Sequence, residues 1–381
     1  MTSEERKEAR YQRRKAKRLA KKEKKNIGQK FEEVFSYQHL YDSYRKCRLG
    51  VAWKASTQKY IARAPLNVLL THKKLLAGKF KSDGFHEFDL YERGKHRHIK
   101  SITINERVVQ KCLCDYSLVP MVERTFIYDN GASVKNKGYM FAMKRLTRHL
   151  QWHYRKYGAE GYVLLFDFSK FFDHVNHDVI RNILEKEVPD ERVRNLTNYF
   201  VSTFGDEGMG LGSQISQTLA LASANRLDHV VKEELRIHCY GRYMDDGYLI
   251  HHSKEYLHKC LERIQEVCKE LHIVLNKKKT QIVKLSRGFT WLKARTYLLP
   301  NGKVVKKIYK RSVTVQRRKI KAFRKLVDAG IMTLDDVYNS WQSWQSYAAN
   351  FNSWHTRKNI LALYKQVFPE EGRLYVLQGY S

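Results

Sequence analysis

Two apolar runs that each stop on an acid limit what this chain can become. In "YVLLFDFSKFF" (162–172) a hydrophobic strand, Tyr162–Phe166, ends on Asp167. In "GRYMDDGYLIHH" (241–252) strand-forming flanks enclose M-D-D-G, a turn sequence, so Asp245 and Asp246 stand at a hairpin tip. If the two strands are neighbours, Asp167 and Asp245 converge. Two carboxylates about 4 Å apart repel by roughly 4 kcal/mol at an effective dielectric near 20, and this reading assigns neither acid a Lys or Arg partner. A pair of Mg²⁺ ions would neutralise them, because hard cations prefer carboxylate oxygens and keep positions free for phosphates. Two close metals are the device for in-line displacement at phosphorus. The bland alternative is turn chemistry, since turns favour Asp. A second strand-end acid in an apolar setting weighs against it.

The remaining composition supplies a partner. The 381 residues suffice for two or three domains. They carry 72 Lys+Arg against 39 Asp+Glu, a formal net charge of +33 that repels itself unless a polyanion neutralises it. Tyr (24) and Phe (17) are plentiful, and aromatics interleaved with basic residues suit base stacking and phosphate contact. Six cysteines without paired C-x-x-C spacing point to neither a zinc site nor a disulfide framework. No run reaches the roughly 18 apolar residues of a membrane span, and the N-terminus lacks an apolar secretion segment. The expectation is a soluble cytoplasmic protein with no membrane partner.

Residues 1–30 hold 13 Lys/Arg and four acids with almost nothing apolar, so this tail cannot fold alone and is expected to bind RNA. The ordered body begins at Phe31, where helical spacing sets in. Residues 86–118 read as strand, basic turn, strand and amphipathic helix. Helices follow Asp167, a Gly-rich turn (205–217) feeds a helix buried at its start, and 254–272 and 313–368 are helical. Strands alternating with helices around a hairpin fit an α+β fold. His149/His153 and His174/His177 have metal-like spacing but no acidic or Cys companion, and are read as structural or RNA-facing.

"YMDD" (243–246) and "FDFSKFFDHV" (166–175) resemble the metal-binding motifs of reverse transcriptases, and the resemblance covers roughly residues 35–368. It implies a right-hand polymerase fold: fingers (31–160), a palm with a ferredoxin-like antiparallel sheet (161–285), and a primer-grip region with helical thumb (286–381). By it, Asp167, Asp245 and Asp246 are catalytic. Asp167 and Asp245 bind two Mg²⁺ ions, with Mn²⁺ as a substitute; the Phe168 carbonyl completes one site and Asp246 supports the constellation. The residue at the incoming sugar is Phe172, whose ring would collide with a 2′-hydroxyl and leave it without its hydrogen bond, at a cost of roughly 1–3 kcal/mol. That selects dNTPs; core packing is the alternative. Lys95 and Arg97 alternate along a strand, hence share a face, and are expected at the β- and γ-phosphates. Lys279 in "LNKKKTQI" is expected near the departing pyrophosphate as a general acid. "SRGFTWLK" (286–293) falls where a primer-gripping hairpin belongs, though it departs from the usual pattern.

Within "GLGSQISQ" (210–217), Leu211, Gly212, Ser216 and Gln217 are similar to the L/I/V-G-x-x-x-S-Q pattern of reverse transcriptases from diversity-generating retroelements. This resemblance implies error-prone, adenine-directed copying of a template RNA into cDNA, with an RNA/DNA hybrid in the cleft and a small basic accessory protein as partner. The absence of Pro before Leu211 leaves open a phage-defence or other unclassified bacterial enzyme. From another class, a non-catalytic RNA-binding, maturase-like protein is the alternative. A dense basic stripe in the thumb sets Arg317, Lys321, Arg324 and Lys325 near one helical face, where phosphate contacts would hold a duplex without reading its sequence.

Overall fold

The structure is a computed structural model that describes residues 30–92 and 95–369, with a few isolated positions before residue 17; the side chains of Glu92, Lys95 and Arg97 lie outside the described set. The expected RNA-binding tail therefore falls almost wholly outside the described residues. The chain forms two compact units. One comprises Met1–Gly138, Phe168–Leu235 and Arg263–Asn276, and the other Tyr139–Asp167, Arg236–Glu262 and Lys277–Ser381.

The first unit is mainly helical. Helix Tyr37–Cys47 packs on both Ala64–Leu76 and Ile104–Leu113, and Leu40, Tyr44, Val68, Leu75, Val108 and Cys112 of these helices are buried. Their starts follow capping chemistry. Ser36 Oγ accepts the His39 N–H, Thr103 Oγ accepts the Glu106 N–H, and Pro65 occupies the first turn of its helix. Strands β1 (Phe85–Glu92) and β2 (Lys95–Ile102) make the expected hairpin, with Asp89 opposite His98 and Leu90 opposite Arg97. Helices His177–Glu187, Glu191–Ser202 and Gln214–Ser223 follow.

The second unit holds a four-stranded antiparallel sheet of β3 (Tyr162–Asp167), β4 (Tyr240–Tyr243), β5 (Asp246–His251) and β6 (Gln281–Lys284), in the order β4-β5-β3-β6. This is the strand order of a split β-α-β, ferredoxin-like sheet, so the α+β expectation is borne out. A three-stranded meander follows: β7 (Phe289–Trp291), β8 (Ala294–Leu298) and β9 (Val304–Ile308). Three mutually packed helices close the described chain: Lys310–Asp328, Leu334–Ala349 and Trp354–Val367. Val163, Leu165, Tyr248 and Ile250 share one core with Leu146 and Leu150 of helix Tyr139–Tyr157, with Phe289 and Trp291, and with Trp341 and Tyr364. No helix among the described residues is long and apolar enough to cross a membrane.

Helix Tyr139–Tyr157 buries Ala142, Met143, Leu146, His149, Leu150 and His153, a single face at helical spacing. Both histidines on it are structural in their contacts. His149 Nδ1 pairs with the Tyr248 hydroxyl at 2.9 Å, and His153 Nε2 with the Glu160 carbonyl at 2.8 Å. His174 lies 3.6 Å from Glu207, and His177 Nε2 contacts the Gly208 carbonyl at 2.7 Å. Burial pushes His153 below the ordinary imidazole range, against the raising effect of its Glu160 bond; His251 is lowered by burial as well. A histidine held neutral when folded leaves the unfolded chain binding more protons below about pH 6.5, so stability is lost as pH falls through that value. Asp246, His98 and His229 are raised and act in the opposite direction, so the contribution is read by difference: in thermal melts between about pH 7 and pH 5 the native midpoint should fall relative to that of His153→Gln as pH drops.

Candidate active site

β3 is a strand because Tyr162–Phe166 is an unbroken apolar run, and it ends on Asp167 as that run ends. β4 and β5 form a hairpin closed by the two-residue turn Met244–Asp245, with Tyr243 opposite Asp246. β5 also pairs with β3, and in that register Asp167 and Asp246 are direct partners. Directly opposite residues of an antiparallel pair point to the same face. Tight pairing of two hydrophobic strands thus forces like charges together. Asp167 is buried, while Asp245 and Asp246 are half-buried.

The electrostatics record that convergence. Asp246 is pushed up to about 7, first by burial, then by the charges of Asp245 and Asp167, with Lys279 opposing. Lys279 Nζ lies 2.6 Å from Asp167 Oδ2 and is more than half exposed. Burial pulls its pKa down, but the bond to Asp167 and the charges of all three acids outweigh that and raise it. The sequence reading assigned these acids no basic partner. The structure corrects this: the lysine expected at the departing pyrophosphate is in contact with the first acid. Among the described residues no three His, Cys, Asp or Glu side chains form a ready metal cage. The donor set nevertheless suits a hard divalent cation. Asp167 and Asp246 face each other, the charge of Asp245 acts on Asp246, and carboxylate oxygens are the donors such a cation prefers.

Two further residues hold this arrangement, and the sequence reading passed over both. Arg242 is fully buried, and its Nη1 donates to the Met244 carbonyl at 2.7 Å. Met244 has φ +56°, a left-handed backbone that costs a non-glycine residue roughly 1–2 kcal/mol, so the guanidinium ties down a strained turn. Gly247 faces Phe166 across the strands, and a Cβ at 247 would lie 2.1 Å from that ring. Only glycine lets β5 lie this close. The usable signals were an Arg inside an apolar strand and a Gly directly after the paired acids.

A recess of about 180 Å³ opens beside Asp167 and Asp246, lined also by Lys278, Lys279, Gln281, Thr290 and Trp291. The segment expected to form a primer-gripping hairpin thus reaches this recess. Its β7–β8 turn is Leu292–Lys293, both with positive φ (46° and 62°), where a two-residue hairpin favours Asn-Gly.

The other expected site residues are placed as follows. Phe168 is buried, bridged to Leu275, with Ser169 N–H donating to the Val274 carbonyl at 2.7 Å. The Gly-rich turn is tied to the segment after β3: Met209 N–H donates to the Phe172 carbonyl at 2.7 Å and Gly208 N–H to that of Val175 at 2.9 Å. Phe172 and Leu211 are half-buried. Gly212 has φ +106°, which by itself requires glycine. Ser216 is buried, and exposed Gln217 accepts a bond from Ser133 Oγ at 3.2 Å. Ser213, heading helix Gln214–Ser223, donates to Gln110 at 2.7 Å, and Gln110 donates to buried Glu106 at 2.9 Å. Lys95 and Arg97 stand at alternate positions of β2, but their side chains are outside the described set. Arg317, Lys321 and Lys325 are exposed on helix Lys310–Asp328. Arg324 is instead engaged by Asp328 (Nε to Oδ1 2.9 Å) and lies 5.3 Å over the Phe368 ring.

Gly247→Ala should cost about 1–3 kcal/mol of stability, because either Phe166 or β5 must move; denaturant melts measure it. Millimolar Mg²⁺ should raise the melting temperature of the native sequence by relieving carboxylate repulsion, while Asp167→Asn should lose most of that increment.

Comparison with known proteins gives a family match and structural likenesses. The family described as reverse transcriptase (RNA-dependent DNA polymerase) matches residues 81–298. Among solved structures, a telomerase from Candida albicans in complex with a fragment of telomeric RNA is similar at 10% identity and TM-score 0.47, covering 78% of this chain and 63% of its own. An apo telomerase from Candida tropicalis, truncated from its C-terminal domain, is similar at 12% identity and TM-score 0.43, covering 64% and 60%. The chain thus spans about three fifths of the length of these structures. No curated protein matches the sequence. The matched span takes in more than half of the chain, with both acidic strand ends and Lys279 inside it, and the chain belongs to the reverse transcriptase (RNA-dependent DNA polymerase) family.

Proposed function

We propose that this chain copies a template RNA into cDNA from dNTPs, using two Mg²⁺ ions held by Asp167 and Asp245 with the Phe168 carbonyl and Asp246 in support. The observation that carries the reading is the pairing of Asp167 with Asp246 at the ends of two buried strands, beside a recess bearing Lys279. Bound divalent ions would supply charge neutralisation for the triphosphate and a more acidic 3′-hydroxyl. The chain's own residues do the rest. Arg242 fixes the turn that carries Asp245, and Gly247 keeps Asp246 in register with Asp167. Lys279, held protonated by its acidic neighbours, is suited to give a proton to the departing pyrophosphate. Lys95 and Arg97 are assigned to the β- and γ-phosphates, and Arg317, Lys321 and Lys325 to the duplex backbone. Arg324 joins that set only by exchanging its contact with Asp328.

We assign Phe172 to exclusion of the 2′-hydroxyl. Leu211, Gly212 and Gln217 support membership of the diversity-generating retroelement group, with a template RNA of that kind and an accessory protein as partners. Leu211 offers apolar surface beside the nascent pair where a polar side chain would otherwise aid base selection, which fits low-fidelity copying.

Primer extension on an RNA template with Mg²⁺ and dNTPs tests the proposal. Asp167→Asn should lower incorporation by roughly two to three orders of magnitude or more. Phe172→Ala should admit ribonucleotides. Tight RNA binding without incorporation by the native chain would instead favour a non-catalytic RNA-binding protein.

A further inference from the structure

Helix Ala64–Leu76 is apolar on two opposite faces. Its inner stripe, Ala64, Val68, Thr71 and Leu75, is buried within the first unit. The helix cannot turn over to bury the other: His72 Nδ1 contacts the Phe35 carbonyl at 2.8 Å, and Asn67 Nδ2 donates to the Tyr60 carbonyl at 3.1 Å. The outer stripe leaves Leu66 at 50%, Leu69 at 38%, Leu70 at 48% and Leu76 at 37% exposure. A helix that is apolar all round is normally covered all round, yet among the described residues nothing covers this face.

The spacing says what kind of surface it is. Leu66, Leu69, Lys73 and Leu76 follow the 3-4-3 spacing of alternating a and d positions in a heptad, with Leu70 beside them at e. The seam is about 15 Å long at 1.5 Å per residue. A single lysine at an a position sets register in helix pairs. We propose that this face docks an acidic amphipathic helix of a partner protein, with leucines against the seam and carboxylates flanking it within reach of Lys73.

Charge decides between occupants. Residues 43–82 contain ten Lys/Arg and no Asp or Glu at all. A second copy would set Lys73 and this basic surround against their own likeness, which is repulsive. A lipid surface is a poor match, because membrane-lying helices keep Lys on the polar face whereas Lys73 sits in the middle of the apolar stripe. A nucleic acid would find phosphate contacts but no aromatic platform among the leucines. The same reasoning excludes the expected small basic accessory protein from this face.

The test uses the full-length protein and a synthetic three-heptad peptide with Leu at a and d and Glu at e and g, followed by fluorescence anisotropy. The peptide should bind, and a version with Ser replacing Leu at equal charge should not. Leu70→Gln and Lys73→Glu should each weaken binding about tenfold or more. Lys259→Glu makes the same charge change at an exposed position on another helix and should alter it less than about twofold. Since Leu70 and Lys73 are exposed, circular dichroism of both variants should match the native chain; Leu66→Gln repeats the test if either does not. The proposal is overturned if the native chain does not bind the peptide, or if Lys259→Glu weakens binding as much as Lys73→Glu. It is equally overturned if the native chain instead forms a dimer that Leu70→Gln disrupts, or binds phosphatidylserine vesicles but not the peptide.

Discussion

Like charge is held together here by unlike forces. The pairing of β3 with β5 sets Val163 against Ile250, Leu165 against Tyr248 and finally Asp167 against Asp246. These residues alternate along their strands, so all six side chains lie in one layer on one face of the sheet. The first two pairs belong to the core shared with helix Tyr139–Tyr157 and the β7–β9 meander. The last pair lies where that cover ends and the recess begins. Burial of the apolar pairs overcomes the repulsion of the acidic one, and the register permits no retreat, since a one-residue slip would turn the whole layer to the opposite face.

Tyr248 links the two ends of this layer. Its ring meets Trp291 edge-on at 4.6 Å, and its hydroxyl pairs with His149. An edge-to-face aromatic contact adds about 0.5–1.5 kcal/mol beyond area burial. The hydroxyl is satisfied at no cost to packing, because His149 lies on the buried face of its helix. Trp291 reaches from that contact to the recess wall, so β7 is positioned by the same core that positions Asp246. On the opposite face of the sheet, Gly247 and Phe166 interlock where any side chain at 247 would collide.

Much of this was legible in the residues. An apolar run of strand length stopping on Asp167, and a turn tetrapeptide between strand formers, suffice to place both acid-bearing strand ends. Helical periodicity locates Lys254–Glu270 within a few residues and marks 313–368 as helical, without showing its division into three helices. What escaped is tertiary in origin. Lys279 is one of three successive lysines, and only the pairing of β6 with β3 brings it to Asp167. Arg242 reads as a misfit in an apolar strand until the turn carbonyl it serves is in view. The engagement of Arg324 by Asp328 one turn later was visible in the spacing, but the expectation of a phosphate-binding stripe counted only the basic residues.

The contact between Lys279 and Asp167 carries a consequence for how such a centre comes into being. A cluster of acids that waited for dissolved ions would leave the apolar pairs alone to oppose its repulsion. Here a tethered ammonium serves as an internal counter-ion, so the chain's own material shares that task. On the proposed function, a divalent ion at Asp167 would replace one cation by another, and the displaced Lys279 ammonium would remain beside the acids, tethered by its own chain.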